Sequence, residues 1–67
     1  MIIVYRPGAT VELTNGLPAV ILSVHIHHEQ AVEYTVVWWD DKERCQDTVQ
    51  SFEIAEGDDQ ERVRLVG

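Results

Sequence analysis

Two adjacent segments of the sequence carry large apolar side chains at every second position. In residues 19–27 these are Val20, Leu22, Val24 and Ile26, and in residues 32–39 they are Val32, Tyr34, Val36 and Trp38. Because successive side chains in a strand point to opposite faces, each series would lie on one face. The pattern therefore predicts a long antiparallel hairpin with one buried face.

The register of this hairpin follows if buried residues stand opposite buried residues. The expected inward pairs are Ile26 with Tyr34, Val24 with Val36, and Leu22 with Trp38. The expected outward pairs are His27 with Glu33, His25 with Thr35, Ser23 with Val37, and Ile21 with Trp39. A β-bulge in the hairpin would shift this register.

Shorter stretches around the hairpin also suit strands. They are residues 2–5, which form a first strand or a strap across the barrel, and residues 10–14, 44–50 and 62–66. Residues 51–55 supply two more apolar anchors, with or without a single 3₁₀ turn before them. Asn15-Gly16 is a strong turn signal, and residues 40–43 and 57–60 are expected to be a turn and a loop. We therefore predict one all-β domain over residues 1–67, a small barrel of five to six short antiparallel strands.

The order of these segments resembles an SH3-like or Tudor-like barrel. The similarity rests on Tyr5-Arg6-Pro7-Gly8, Val11-Glu12-Leu13, the run from Tyr34 to Asp41, and Phe52-Glu53-Ile54. The sequence is similar to those of small bacterial and phage barrel proteins that begin with an aromatic-x-x-Gly-Asp-x-Val pattern and contain a Tyr-x-Val-x-Trp-x-Asp strand. Ala9 stands where such proteins often have Asp. The resemblance implies the SH3-like fold, and its motifs are structural rather than catalytic.

The charge balance limits the class of partner. The chain has five Lys and Arg residues and twelve Asp and Glu residues, which gives a net charge of -7. Phosphate backbones are bound by concentrated Lys and Arg, so we expect neither a nucleic acid nor a membrane as partner. The apolar start ends at Arg6, too early for a signal sequence, and a lone Cys45 suits a reducing compartment. We expect a cytoplasmic protein.

A metal site would have one candidate ligand set, the side chains of His25, His27 and Glu33. Two His residues at positions i and i+2 share a strand face, and Glu33 would stand across from His27. His and Glu are also ordinary residues on a solvated hairpin, so we expect no metal and no cofactor. Cys45 has no His near it in the expected register and is interpreted as a structural thiol.

Two rival functions have a sequence basis. Val49, Gln50 and Phe52 faintly resemble the Val-Gln-aromatic segment of type II dihydrofolate reductases, which implies an oligomeric barrel enzyme with a shared pore. A reader of methylated basic peptides would instead need an aromatic cage. Its walls would come from Tyr5, Tyr34, Trp38, Trp39 and Phe52.

The outward face of the hairpin supplies the favoured interpretation. Ile21, Val37 and Trp39 would cluster there, with Arg44 opposite Trp39 across a two-residue turn. Exposed Trp and Arg side chains are enriched at binding hot spots. Alternatively, the residue 1–4 strap or the last strand covers this patch. We expect a non-enzymatic protein-interaction or assembly module whose partner is another protein or a second copy in a homodimer.

Overall fold

Seven β-strands and two short 3₁₀ helices make up the part of the chain that the structure, a computed structural model, describes: residues 2–28 and 31–65. The strands are β1 (Ile2–Tyr5), β2 (Thr10–Leu13), β3 (Pro18–Ile26), β4 (Val32–Asp40), β5 (Glu43–Gln50), β6 (Ile54–Gly57) and β7 (Arg62–Leu65). The 3₁₀ helices span Ser51–Glu53 and Asp59–Glu61. The expected ends of the first and last segments, Met1 and Val66, and the hairpin tip at residues 29–30 lie outside the described residues.

The strands form two antiparallel sheets. A curled five-stranded sheet has the order β5-β4-β3-β2-β6, and β1 pairs with β7 in a second sheet. The all-β prediction is confirmed, and the curled sheet is compatible with an SH3-like barrel. Residues 2–5 are a strand, and its Val4 and Tyr5 belong to the core. This strand therefore packs on the inner side of the large sheet.

The β3–β4 hairpin exists, but its predicted register is wrong. Val24 stands opposite Tyr34, and His25 stands opposite Glu33, two residues away from the expected pairing. A bulge at Leu22 then shifts the register again, so that Ile21 faces Val36. A bulge places one extra residue in one strand, which inverts the faces of all residues before it.

Ile21 is consequently buried, with only 1% of its surface exposed, and it does not lie on the outward face as predicted. The backbone of a separate segment holds it there. The Ile21 N–H donates to the Ala9 carbonyl at 2.9 Å, and its carbonyl accepts from the Gly8 N–H at 2.7 Å. Gly8 has a φ of 93°, a conformation that glycine adopts without strain.

The core lies on the inner face of the curled sheet. Its buried members are Val4, Tyr5, Ala9, Val11, Leu13, Ala19, Ile21, Val32, Tyr34, Val36 and Val49. Val20, Leu22 and Ile26, which were expected there, are exposed. Trp38, expected to be buried, is only partly buried against this core. The alternating pattern of β4 was thus interpreted correctly, whereas that of β3 was wrong before the bulge and correct for Val24 after it, which packs against the core.

Tyr5 connects the two sheets. Its N–H donates to the Tyr34 hydroxyl at 3.1 Å, and its own hydroxyl accepts from the Arg62 guanidinium at 2.9 Å. The same guanidinium lies 5.0 Å from the centre of the Tyr5 ring, in cation–π geometry. The ring also lies against Gly57, which is part of β6 and not of a loop as predicted.

Candidate protein-interaction face

The surface of the five-stranded sheet opposite the core, here called the outer face, carries the residues of interest. Trp39 of β4 stands opposite Arg44 of β5, as expected for a two-residue turn at residues 41–42. Asp41 at that turn has a φ of 58°, the left-handed conformation that tight hairpin turns require. The Trp39 side chain is 65% exposed. The prediction that Trp39 points outward is confirmed.

Two rows of side chains cross the outer face perpendicular to the strands. The first, here called the charged row, runs Glu56, Glu12, Pro18, Trp39, Arg44 from β6 to β5. Pro18 and Trp39 are placed next to each other by the register of the hairpin: Val20 stands opposite Val37, and the residues two positions further along the two strands are Pro18 and Trp39. The second, here called the apolar row, runs Thr10, Val20, Val37, Gln46.

A groove of about 250 Å³ lies between the centres of these rows. Pro18, Val20, Val37 and both tryptophans line it, together with Thr10 and Ala19. Val37 forms a closed floor, with 8% of its surface exposed, whereas Val20 and the Trp39 ring remain accessible. An indole beside a small apolar groove offers a partner both a large contact area and a hydrogen-bond donor.

Carboxylates flank this groove on the β6 side. Glu12 of β2 and Glu56 of β6 line a wider depression of about 550 Å³. They stand directly opposite each other on the two paired strands. Thr10 and Pro18 line both depressions, which are therefore adjacent. On the β5 side, the Arg44 guanidinium donates to the Gln46 amide oxygen at 3.1 Å. The charged row therefore has apolar side chains at its centre, carboxylates at its β6 end and a guanidinium at its β5 end.

The structure brings together three of the four residues predicted to bind a partner: Val37, Trp39 and Arg44. Ile21 is separated from them, because the bulge at Leu22 turns it into the core. Pro18 and Val20 were missed, the latter for the same reason. Glu12 gave a usable signal, since it alternates with buried Val11 and Leu13 in β2 and must face outward.

The candidate metal ligands are arranged differently from the prediction. Glu33 stands across from His25 rather than from His27, although its carboxylate contacts the His27 ring diagonally. The His25 ring nitrogen Nε2 instead lies 3.0 Å from the Ser23 hydroxyl and 3.2 Å from the Thr35 hydroxyl. Within residues 2–28 and 31–65, no three His, Cys, Asp or Glu side chains are placed to hold a metal ion.

Most of the residues on which the two rival functions depend take part in the packing or hydrogen bonding of the fold. The Gln50 N–H donates to the Glu53 carboxylate at 2.7 Å and begins a 3₁₀ helix, while Val49 is buried and Phe52 is 77% exposed. Tyr5 and Tyr34 are buried against each other, with ring centres 6.1 Å apart. Neither tyrosine ring is available to line an open aromatic cage.

Cys45 lies in β5 opposite Trp38 and is partly buried. Its Sγ lies 3.9 Å from the Glu43 carbonyl oxygen, a long and weak contact. This environment agrees with a structural thiol.

Neither 3₁₀ helix in the described part of the chain, nor any other helix there, is long and apolar enough to cross a membrane. No protein-family model, no curated protein and no solved structure matches this chain.

Proposed function

We propose that this chain is a cytoplasmic SH3-like barrel that acts as a non-enzymatic protein-interaction or assembly module, with the outer face as its binding surface. The observation that carries the proposal is the exposed Trp39 indole beside an apolar groove on a hydrogen-bonded sheet. Burial of such a ring by a partner removes roughly 150–250 Å² of largely apolar surface from water. Trp is also among the residues that dominate binding energy at interfaces.

The position of the groove supports this function. All of its lining residues except Thr10 belong to β3 and β4, the two longest strands, which are paired along most of their length. A partner would therefore meet a surface whose backbone is already ordered, and would not bear the entropic cost of ordering it. Arg44 and the carboxylates at the two ends supply the polar rim that surrounds a binding hot spot.

The net charge of -7 supports a protein partner over a nucleic acid. Arg44 is the one basic residue of the two rows, which also carry two carboxylates. A phosphate backbone would meet repulsion there, since binding it requires several Lys or Arg side chains on one surface.

The test is a comparison of three immobilised proteins as baits in a lysate of the source cells: the wild type, Trp39→Ser and Phe52→Ser. Phe52 is the matched control, because it is also an exposed aromatic residue but lies on a 3₁₀ helix and belongs to neither row. We expect proteins retained by the wild type and by Phe52→Ser to be lost with Trp39→Ser. Equal retention by all three folded baits would contradict the proposed binding surface.

A further inference from the structure

We propose that the partner of the outer face is a second copy of the same chain, bound face to face about a twofold axis that runs parallel to the strands between β3 and β4. This inference rests on the proposed function, because it requires that the outer face bind protein. It adds the identity of the partner and the residue pairs that join the two copies.

The charged row supplies the first argument. Arg44 lies on β5 at one edge, and Glu12 and Glu56 lie on β2 and β6 at the other. Three interstrand steps of about 4.8 Å separate Arg44 from Glu12 by roughly 14 Å along the curled sheet. This distance exceeds the screening length of about 8 Å at physiological salt, so the two ends do not neutralise each other within one chain. Among the described residues, none of these three side chains takes part in an ion pair.

A twofold axis between β3 and β4 exchanges the two ends. Each position on β5 then lies over β2 of the other copy, and each position on β4 lies over β3. In the charged row, Arg44 meets Glu12 and Trp39 meets Pro18 of the other copy. In the apolar row, Val37 meets Val20 and Gln46 meets Thr10. Every contact is thus charge with opposite charge, apolar with apolar, or amide with hydroxyl.

This self-complementarity is what a symmetric dimer needs and a single foreign partner does not. An interface about a twofold axis uses the same patch on both subunits, so the patch must match its own reversed copy. A patch that binds only a basic protein would be better served by acidic groups at both ends. Arg44 at the second end therefore favours a second copy.

The expected affinity is modest. Two rows across four overlapping strands form a contact smaller than the roughly 800 Å² per partner of a standard interface. The net charge of -7 on each copy also opposes association. We therefore expect a dissociation constant in the micromolar to millimolar range and a melting temperature that rises with protein concentration.

Charge exchange between the two ends tests the arrangement. Sedimentation equilibrium of the purified full chain, from about 10 μM to 1 mM, should show a mass that rises toward twice that of the monomer. Arg44→Glu and Glu12→Arg should each weaken self-association at least about tenfold, since each places like charges together. An equimolar mixture of these two variants should associate again, because positions 12 and 44 are both acidic in one variant and both basic in the other. The double variant Arg44→Glu/Glu12→Arg should also recover self-association.

Arg64→Glu is the matched control, because it makes the same change in net charge on β7, outside the outer face. It should weaken self-association less than Arg44→Glu does. A wild-type chain that stays monomeric at 1 mM would overturn the inference, as would singly substituted variants that do not recover on mixing. If the chain were monomeric while Trp39→Ser still abolished retention of another protein, only this inference would fall. If dimerisation were insensitive to Trp39→Ser, this inference would fall, and the retention experiment would decide the proposed binding surface separately.

Discussion

Gly57→Ala is expected to destabilise the protein because of one contact with Tyr5. Gly57 lies in β6, and a methyl group on its Cα would lie 2.6 Å from Cζ and 2.7 Å from the hydroxyl oxygen of Tyr5. Real Cβ atoms do not approach other heavy atoms so closely. The Tyr5 ring is held in place, since it is buried, packs against the Tyr34 ring and accepts a hydrogen bond from Arg62 through its hydroxyl.

The sign of the effect depends on two opposing contributions. Gly57 does not have a positive φ, so its backbone conformation is open to Ala. Such a substitution normally stabilises a protein by about 0.4–1 kcal/mol, because the unfolded chain loses freedom. Overpacking a closed site costs about 1–3 kcal/mol. Overpacking dominates: the midpoints of the two ranges leave a net loss of unfolding free energy of about 1.3 kcal/mol, or roughly 5–10 °C in melting temperature.

The assay is urea and thermal unfolding followed by circular dichroism in a double-mutant cycle with Tyr5→Leu. In the Tyr5→Leu background the ring is absent, so Gly57→Ala should be neutral or stabilising. Gly8→Ala is the control: its methyl group would meet nothing within 4 Å, but its φ of 93° strains any other residue. Its cost should be unchanged by Tyr5→Leu. If Gly57→Ala stabilised the wild type, the packing argument would be refuted.

Three further predictions concern stability, the tryptophans and metal. Burial raises the pKa of the Tyr34 hydroxyl above its ordinary value of 10.0, so the contribution of this hydroxyl to stability is present below about pH 10 and is lost as the pH rises toward the folded-state pKa. Melting temperatures between about pH 8 and 11 should therefore fall less steeply in Tyr34→Phe than in the wild type, and an equal slope would contradict this prediction. Acrylamide should quench Trp39 more than Trp38, compared in single-tryptophan Phe variants, since Trp39 is the more exposed; better protection of Trp39 would contradict the structure. Calorimetric titration with Zn²⁺ at neutral pH should show no binding tighter than about micromolar, and tight one-to-one binding lost in both His25→Ala and Glu33→Ala would overturn that expectation.

Local sequence determined much of the architecture. Alternation along β4 identified Val32, Tyr34 and Val36 as inward residues, and all three are buried. Asn15-Gly16 marked the turn between β2 and β3, where Gly16 has a φ of 84°. These features depend on the backbone period and on the conformational freedom of single residues, both of which are visible in a short stretch of sequence. The outward position of Trp39 follows from the same period.

Tertiary structure decided which face of β3 is buried. In sequence, Val20 and Leu22 fit an inward series as well as Ala19 and Ile21 do. Two backbone hydrogen bonds belong to the bulged arrangement, one donated by Gly8 to the Ile21 carbonyl and one donated by Ile21 to the Ala9 carbonyl. Both partners lie more than ten residues earlier in the chain than Ile21. A sequence period of two shows which residues of a regular strand share a face, but it cannot reveal a β-bulge, in which one extra residue reverses the faces. The same limit applies to Gly57, because only the folded chain places the Tyr5 ring against it.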